Sequence, residues 1–281
     1  MKAVDLMGNR IAVLMTCYNR VDTTLECLRR LFAQEVPEGY SFDVWLVDDA
    51  SPDKTGERVK ATYPQINVIQ GTGKLFWCKG MRLAWDKAAE ASDYDFYLWL
   101  NDDTMLNDNA LKCLINDYES VATQDNQAHT IVGSFTTAPG SDFISYGTEN
   151  KGSERIVPNG KPQKATGMMA GNCVLIPRAV YRAIGPIYGG FHHGGGDYDY
   201  ACLMHEHHIP FYCASKVLGW CRANHGSFTF AGKNLWERLR LLWQPTGLCL
   251  HDAWVMRMRH GGVPRAVLSF CHIVWRAVVG K

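Results

Sequence analysis

Short apolar runs alternate with segments of helical period through the first hundred residues. Ile11-Ala12-Val13-Leu14-Met15 reads as a buried strand. A polar turn and cap over Asn19 to Asp22 follows, then a helix presenting Leu25, Leu28, Leu31 and Phe32. Val44-Trp45-Leu46-Val47 is the second strand, a short polar helix from about Lys54 to Thr62 comes next, and Ile66 to Ile69 is the third strand. A helix over Met81 to Ala91 leads to a fourth strand, Phe96 to Leu100. Near-continuous apolar strands separated by helices predict a parallel sheet covered on both faces, an α/β fold.

After Thr123 the alternation stops. Ile131–Thr136, Phe143–Tyr146 and Arg155–Val157 read as short strands between Gly and Pro turns. Gly171–Ile176 is a further strand, with Pro177 opening a helix toward Ile184. A glycine-rich loop covers 186–196, a helix is expected over Asp197–His208 and a strand over Lys216–Arg222. From Lys233 the chain is helical and basic. The boundaries expected are therefore a main domain over 1–232, divided near 123 where the alternation stops, and a helical extension over 233–281.

Composition narrows the function. Lys and Arg total 29 against 28 for Asp and Glu, a net charge of +1, which gives no electrostatic case for nucleic acid. Ten scattered cysteines without a Cys-x-x-Cys pair argue for reduced thiols in the cytoplasm rather than a disulfide framework or a structural zinc site. Met1 to Arg10 lacks an apolar signal region, and no uninterrupted apolar run approaches the roughly 20 residues that span a bilayer. The expectation is a soluble or at most peripheral protein.

Three polar clusters fall where strands end: Thr16-Cys17-Tyr18-Asn19-Arg20, Asp48-Asp49-Ala50-Ser51 and Asn101-Asp102-Asp103-Thr104. Open α/β sheets bind ligands at that edge. Adjacent carboxylates beside a core need a positive partner, and a divalent ion carrying a phosphorylated ligand suits them. The structural alternative is a strand-ending Asx turn. Gly71-Thr72-Gly73-Lys74 is neither a P-loop nor a dinucleotide fingerprint, since Leu75 follows Lys74 and Phe76 replaces the third Gly. His205-Glu206-His207-His208 lacks the spacing of a zinc helix and reads as a solvated face.

With Gly196-Asp197-Tyr198-Asp199 added, the ordered set of motifs resembles family-2 glycosyltransferases of the GT-A fold, over roughly residues 10 to 232. The resemblance implies a UDP- or dTDP-sugar donor, a glycan or lipid-linked glycan acceptor, and Mg²⁺ or Mn²⁺, with 1–232 as the catalytic domain, its nucleotide-binding half about 1–123 and its acceptor half about 124–232. It implies that Asp48, with Asp49 beside it, accepts from the imide N–H of the base. It places Thr16, Tyr18 and Arg20 along the nucleotide, and Lys74, Trp77 and Lys79 over it. Asp103 matches the metal ligand, with Asp102 in support and Asn101 where the family carries Asp. His225 matches a histidine that completes the metal shell in some members. Asp197 matches the base of inverting members, although a carboxylate at a helix start is expected to be weakly basic. His192, His193 and Asp199 are expected to shape the acceptor pocket. Bacterial surface-polysaccharide enzymes, rhamnosyltransferases among them, look most similar. A sugar nucleotidyltransferase and a catalytically silent nucleotide-sugar-binding module are the alternatives. The Trp and Arg alternation of the tail (Trp236, Arg238, Arg240, Trp243, Trp254, Arg257) suits packing on the catalytic domain first. An anionic membrane surface at the inner face of the plasma membrane or a homodimer contact would also use it.

Overall fold

A computed structural model describes residues 9–124, 127–223 and 230–280. The first part runs β1 (Asn9–Cys17), α1 (Val21–Phe32), β2 (Tyr40–Asp48), α2 (Thr55–Thr62), β3 (Asn67–Gln70), α3 (Phe76–Ala91), β4 (Phe96–Leu100), β5 (Met105–Leu106) and α4 (Ala110–Gln124). Then come β6 (Thr130–Thr136), β7 (Ile144–Tyr146), β8 (Glu149–Asn150), β9 (Glu154–Arg155), β10 (Gln163–Lys164), β11 (Cys173–Pro177), α5 (Arg178–Ile184), α6 (Gly196–Glu206) and β12 (Phe211–Trp220). The chain closes with α7 (Leu235–Trp243) and α8 (Leu250–Val279).

One sheet takes the order β10-β12-β6-β11-β4-β1-β2-β3, with β5 added to β12 and β7 to β6. The strands β1 to β4 are mutually parallel, as their apolar runs predict, because helices cover both faces. The second half departs from that pattern: β11 runs antiparallel to both β4 and β6. From β1 the chain moves outward through β2 and β3 and then returns to β4 on the other side. The strand order therefore reverses between β1 and β4, which opens a crevice at their carboxyl ends. Thr16 and Cys17 end β1 there, and Asn101 to Asp103 follow β4.

Two apolar layers flank the sheet. One gathers Ile11, Val13, Leu28, Leu46, Leu98 and Leu111, the other Leu14, Trp85, Trp99, Val174, Tyr200 and Phe211. Alternation along β1 and β4 sends successive side chains to opposite layers. Trp85 and Trp99 are fully buried, with ring centroids 5.8 Å apart in an edge-to-face arrangement.

The extension only partly packs. Leu242, Leu250 and Ala277 form a small apolar cluster with Phe230, while Trp236, Trp243, Leu268 and Trp275 are exposed. By length and composition α8 qualifies as a membrane-crossing helix, a property that its scattered arginines hide from a search for uninterrupted runs. It is bent, however, at Gly262 (φ 73°, ψ 176°), two residues before Pro264. Neither arm alone has the roughly 20 residues that cross a bilayer.

Candidate active site

The crevice between β1 and β4 holds a chain of cavities centred on two carboxylates. A cleft of about 410 Å³ is lined by Thr16, Tyr18, Arg20, Asp49, Phe76 and Trp77, with His193 at its edge. It adjoins a smaller one of about 210 Å³ that shares Arg20, Trp77 and His193 and adds Asn101, Asp103, Asn172 and Asp197. A third, of about 750 Å³, continues from Asp197 and Tyr198 to the segment Pro245 to Met256 of the extension. Asp197 borders both of the last two, so it stands where a small inner site meets a wide outer one. A separate depression between Asn107–Asp117 and Ser215–Leu218 holds none of the residues singled out in the sequence.

The positive partner of the acidic pair is Arg20. Its guanidinium lies 2.6 Å from Asp102 and 2.9 Å from Asp103. Asp102 is fully buried and also accepts from Thr24 Oγ1 at 2.9 Å. Burial pushes the Asp102 carboxyl up to about 7, against the pull of Arg20 and with added repulsion from Asp103. Asp103 instead faces the inner cavity. The Asn101 oxygen is committed elsewhere, accepting from Trp77 Nε1 at 2.7 Å. Among the described residues, Asp103 is thus the one carboxylate of this turn open to an ion. A single carboxylate fits Mg²⁺ or Mn²⁺, which draw their remaining ligands from phosphates and water.

Asp48 and Asp49, expected to accept from the base, are both buried and accept from backbone N–H groups. Asp48 accepts from Ser51 N and Gly56 N, both at 3.2 Å, and so anchors the start of α2. Asp49 accepts from the backbone N–H groups of Gly73 (2.7 Å), Leu75 (2.8 Å) and Phe76 (3.0 Å). The glycine-rich segment is therefore clasped by Asp49 rather than free to close. The N-terminus of α1 is satisfied in the same manner, Val21 N donating to Asp53 at 2.9 Å.

Asp197 lies in the first turn of α6, behind Gly195 at φ 90°. It accepts from Gly171 N at 3.1 Å and Tyr198 N at 2.9 Å. Burial raises its carboxyl above the usual range despite those two donors. This reverses the weak basicity expected at a helix start: desolvation outweighs the helix dipole. Burial and the Arg20 charge lower the nearby His193 imidazole, favouring its neutral form.

A family model for glycosyl transferase family 2 matches residues 12–185, the span that carries β1 to α5. The chain belongs to that family. No curated protein matches it by sequence. Among solved structures it is similar to the mannosyltransferase PcManGT from Pyrobaculum calidifontis in complex with GDP-Man and Mn²⁺ (15% identity, 99% of this chain, 79% of that one, TM-score 0.54). It is similar to S. aureus TarS 1-349 in complex with UDP-GlcNAc (15%, 96% and 81%, 0.55). GalNAc-T7 with UDP, GalNAc and Mn²⁺ is a third (13%, 93% and 52%, 0.59). At such identities the likeness establishes the GT-A fold, a mostly parallel sheet with a helical C-terminal addition.

Within this family 2 chain, the residues expected at the site separate into two groups. The structure brings Thr16, Tyr18, Arg20, Asp49, Trp77, Asp103, His193 and Asp197 together along the cavities. It turns six others away. Asp48 faces its own loop, Lys74 is exposed on the clasped segment, and Lys79 lies on α3 outside the lining of the clefts described above. Asp102 is sealed beneath Arg20. Asp199 is fully buried and bound by Arg259 Nε at 2.5 Å and His260 Nε2 at 2.8 Å, so it ties α6 to α8 instead of meeting an acceptor. His192 points at Asp252, 2.9 Å away. His225 lies outside the described residues.

Sequence reasoning missed Phe76, Tyr146, Gly171 and Asn172, which all border the clefts. The Gly171-Asn172 pair ahead of an apolar strand was the one available signal. Nothing local marked Thr246 or Asp252.

Proposed function

We propose that the chain is an inverting, metal-dependent glycosyltransferase, moving a sugar from a UDP- or dTDP-sugar to a glycan hydroxyl in bacterial cell-envelope polysaccharide synthesis. The observation that carries the reading is the shared cavity of Asp103 and Asp197, with Arg20 between the nucleotide cleft and both. Tyr18 offers an exposed ring for the base. Arg20 meets diphosphate charge, its fork suiting phosphate oxygens. At Asp103, Mg²⁺ or Mn²⁺ would supply Lewis-acid help to the departing diphosphate. Asp197 takes the acceptor proton as that oxygen bonds to the anomeric carbon. The bond from that carbon to phosphate breaks on the opposite face, and the nucleoside diphosphate leaves with the electron pair.

The raised Asp197 carboxyl supports a base role, because a stronger base takes the proton more readily. The wide outer cavity beside Pro245 to Met256 suits an extended acceptor. We assign 1–232 to catalysis, with the halves meeting near 123, and 233–281 to an extension. The exposed Leu268 and Trp275, on the same helix as Arg265, support peripheral placement at the inner face of the plasma membrane. A rhamnosyl donor is the favoured sugar on motif similarity.

A thermal-shift panel of nucleotide sugars with and without Mn²⁺ tests the reading. A ligand at 100 times its Kd adds about 2.7 kcal/mol of stability. The cognate donor should therefore shift the transition in a manner that needs the ion, and Asp103→Asn should remove that dependence. Asp197→Asn should lower kcat by about 100-fold or more while leaving nucleotide binding intact. Unchanged turnover in that variant would remove Asp197 as the base, and pyrophosphate release from a nucleoside triphosphate would reassign the chain to nucleotidyl transfer.

A further inference from the structure

Three donor atoms with no part in the proposed bond-making converge where the loop ahead of Asp197 meets the extension, and a cysteine sulfur lies beside them. His192 Nδ1 lies 2.9 Å, and His251 Nδ1 3.0 Å, from one and the same oxygen, Asp252 Oδ1. Cys249 Sγ is 3.9 Å from His192 Nδ1. Ligand atoms of His192, His251 and Asp252 all fall within 4.8 Å of one another. Cys249 and Asp252 are each only 6% exposed, whereas the His251 side chain is half exposed, which gives an ion a way in from solvent.

The chemistry of the set points to a soft-to-borderline cation. Both imidazoles aim Nδ1 at a single carboxylate oxygen, so a divalent ion can replace two N–H protons at once. A tetrahedral ion with bonds of about 2.0–2.3 Å holds its donors about 3.2–3.6 Å apart. The two imidazole nitrogens lie just inside that spacing from Asp252 Oδ1, and Cys249 Sγ lies just beyond it from His192 Nδ1. The carboxylate also accepts from two backbone N–H groups: His192 N lies 3.0 Å from Oδ1 and 3.1 Å from Oδ2, and His193 N lies 3.2 Å from Oδ2. Such bonds hold a ligating carboxylate in place.

We propose that His192 Nδ1, His251 Nδ1, Asp252 Oδ1 and Cys249 Sγ form a Zn²⁺ site that fastens the C-terminal extension to the loop ahead of Asp197. It is separate from the Asp103 position, whose carboxylate oxygen suits Mg²⁺ or Mn²⁺. Binding releases the Cys249 thiol proton and any proton on the two Nδ1 atoms, so affinity rises with pH.

Cobalt titration of the chelator-treated full chain provides the test. One equivalent of Co²⁺ should develop intense visible bands together with a thiolate-to-cobalt charge-transfer band, and Zn²⁺ should displace them. His251→Ala, at a half-exposed position, should weaken binding by at least tenfold. Cys249→Ser should keep a visible spectrum but lose the charge-transfer band, while Asp103→Asn should leave both. The proposal is overturned if no thiolate band forms at one equivalent. It is equally overturned if His251→Ala binds cobalt as tightly as the wild type or if the band vanishes with Asp103→Asn. The spectrum needs no turnover, so its outcome is independent of the glycosyl-transfer reading.

Discussion

Asp102 and Asp103 are neighbours in the chain with opposite surroundings. A sequence marks both as acidic strand-end residues, but only the direction of each side chain separates a sealed carboxylate from one that faces a cavity. Arg20 supplies the positive charge that the pair needs, from the far side of the crevice. Because the folded Asp102 carboxyl is raised to about 7 against an ordinary value near 4, the folded state binds a proton more tightly than the unfolded chain. Stability tied to this group is fully present below about pH 4 and is lost as pH rises through about 7. The isosteric Asp102→Asn variant should therefore gain on the wild type between pH 5 and about 8, read as a smaller fall in Tm across that window. A constant difference in Tm would show that Asp102 does not titrate there.

At the scale of elements, the start of α3 shows how loop and helix are fitted around the site. Asp49 accepts from Gly73, Leu75 and Phe76, and this brings Trp77 to the cavity wall against Gly171. A Cβ on Gly171 would stand 2.6 Å from the Trp77 ring and 3.2 Å from Asp197 Cβ. Gly171→Ala should consequently push the indole off Asn101 and shift the carboxylate. The expected cost is about 1–3 kcal/mol of stability and roughly tenfold or more in kcat, measured by denaturant melts and steady-state rates. Strands β1 to β4 and helices α1 to α3 follow from local periodicity. The clasp does not: Asp49 and Phe76 are separated by 27 residues, and no local pattern states that they meet.

Across the whole molecule, the extension is held at its first arm. Asp199 on α6 receives Arg259 and His260 from α8, and the Arg259 guanidinium lies 4.0 Å from the centre of the Tyr188 ring. Asp199→Asn should weaken that junction by about 2–4 kcal/mol, since it leaves Arg259 beside a neutral amide. Hydrogen exchange is expected to quicken across 250–261 while β1 and β4 stay protected. Uniform quickening of all elements would instead make Asp199 a determinant of global stability. The same residue illustrates a limit of motif reading. Its place two positions after Asp197 suggested an acceptor contact, but helical geometry turns it about 200° away, into the core.

The succession of strands and helices in the first half, the cover on both faces and the polar strand ends were determined by the chain itself, because apolar period and turn chemistry are properties of neighbours in sequence. Only the tertiary structure decided that Arg20 seals Asp102, that Asp48 and Asp49 serve loops, and that His192 and Asp199 look toward α8. Those outcomes depend on the partner each buried charge finds, and the partners lie tens of residues away: 60 for Asp199 and Arg259, 83 for Arg20 and Asp103. A buried carboxylate has to be paired, but its partner is settled only when the sheet and helices have brought distant segments together.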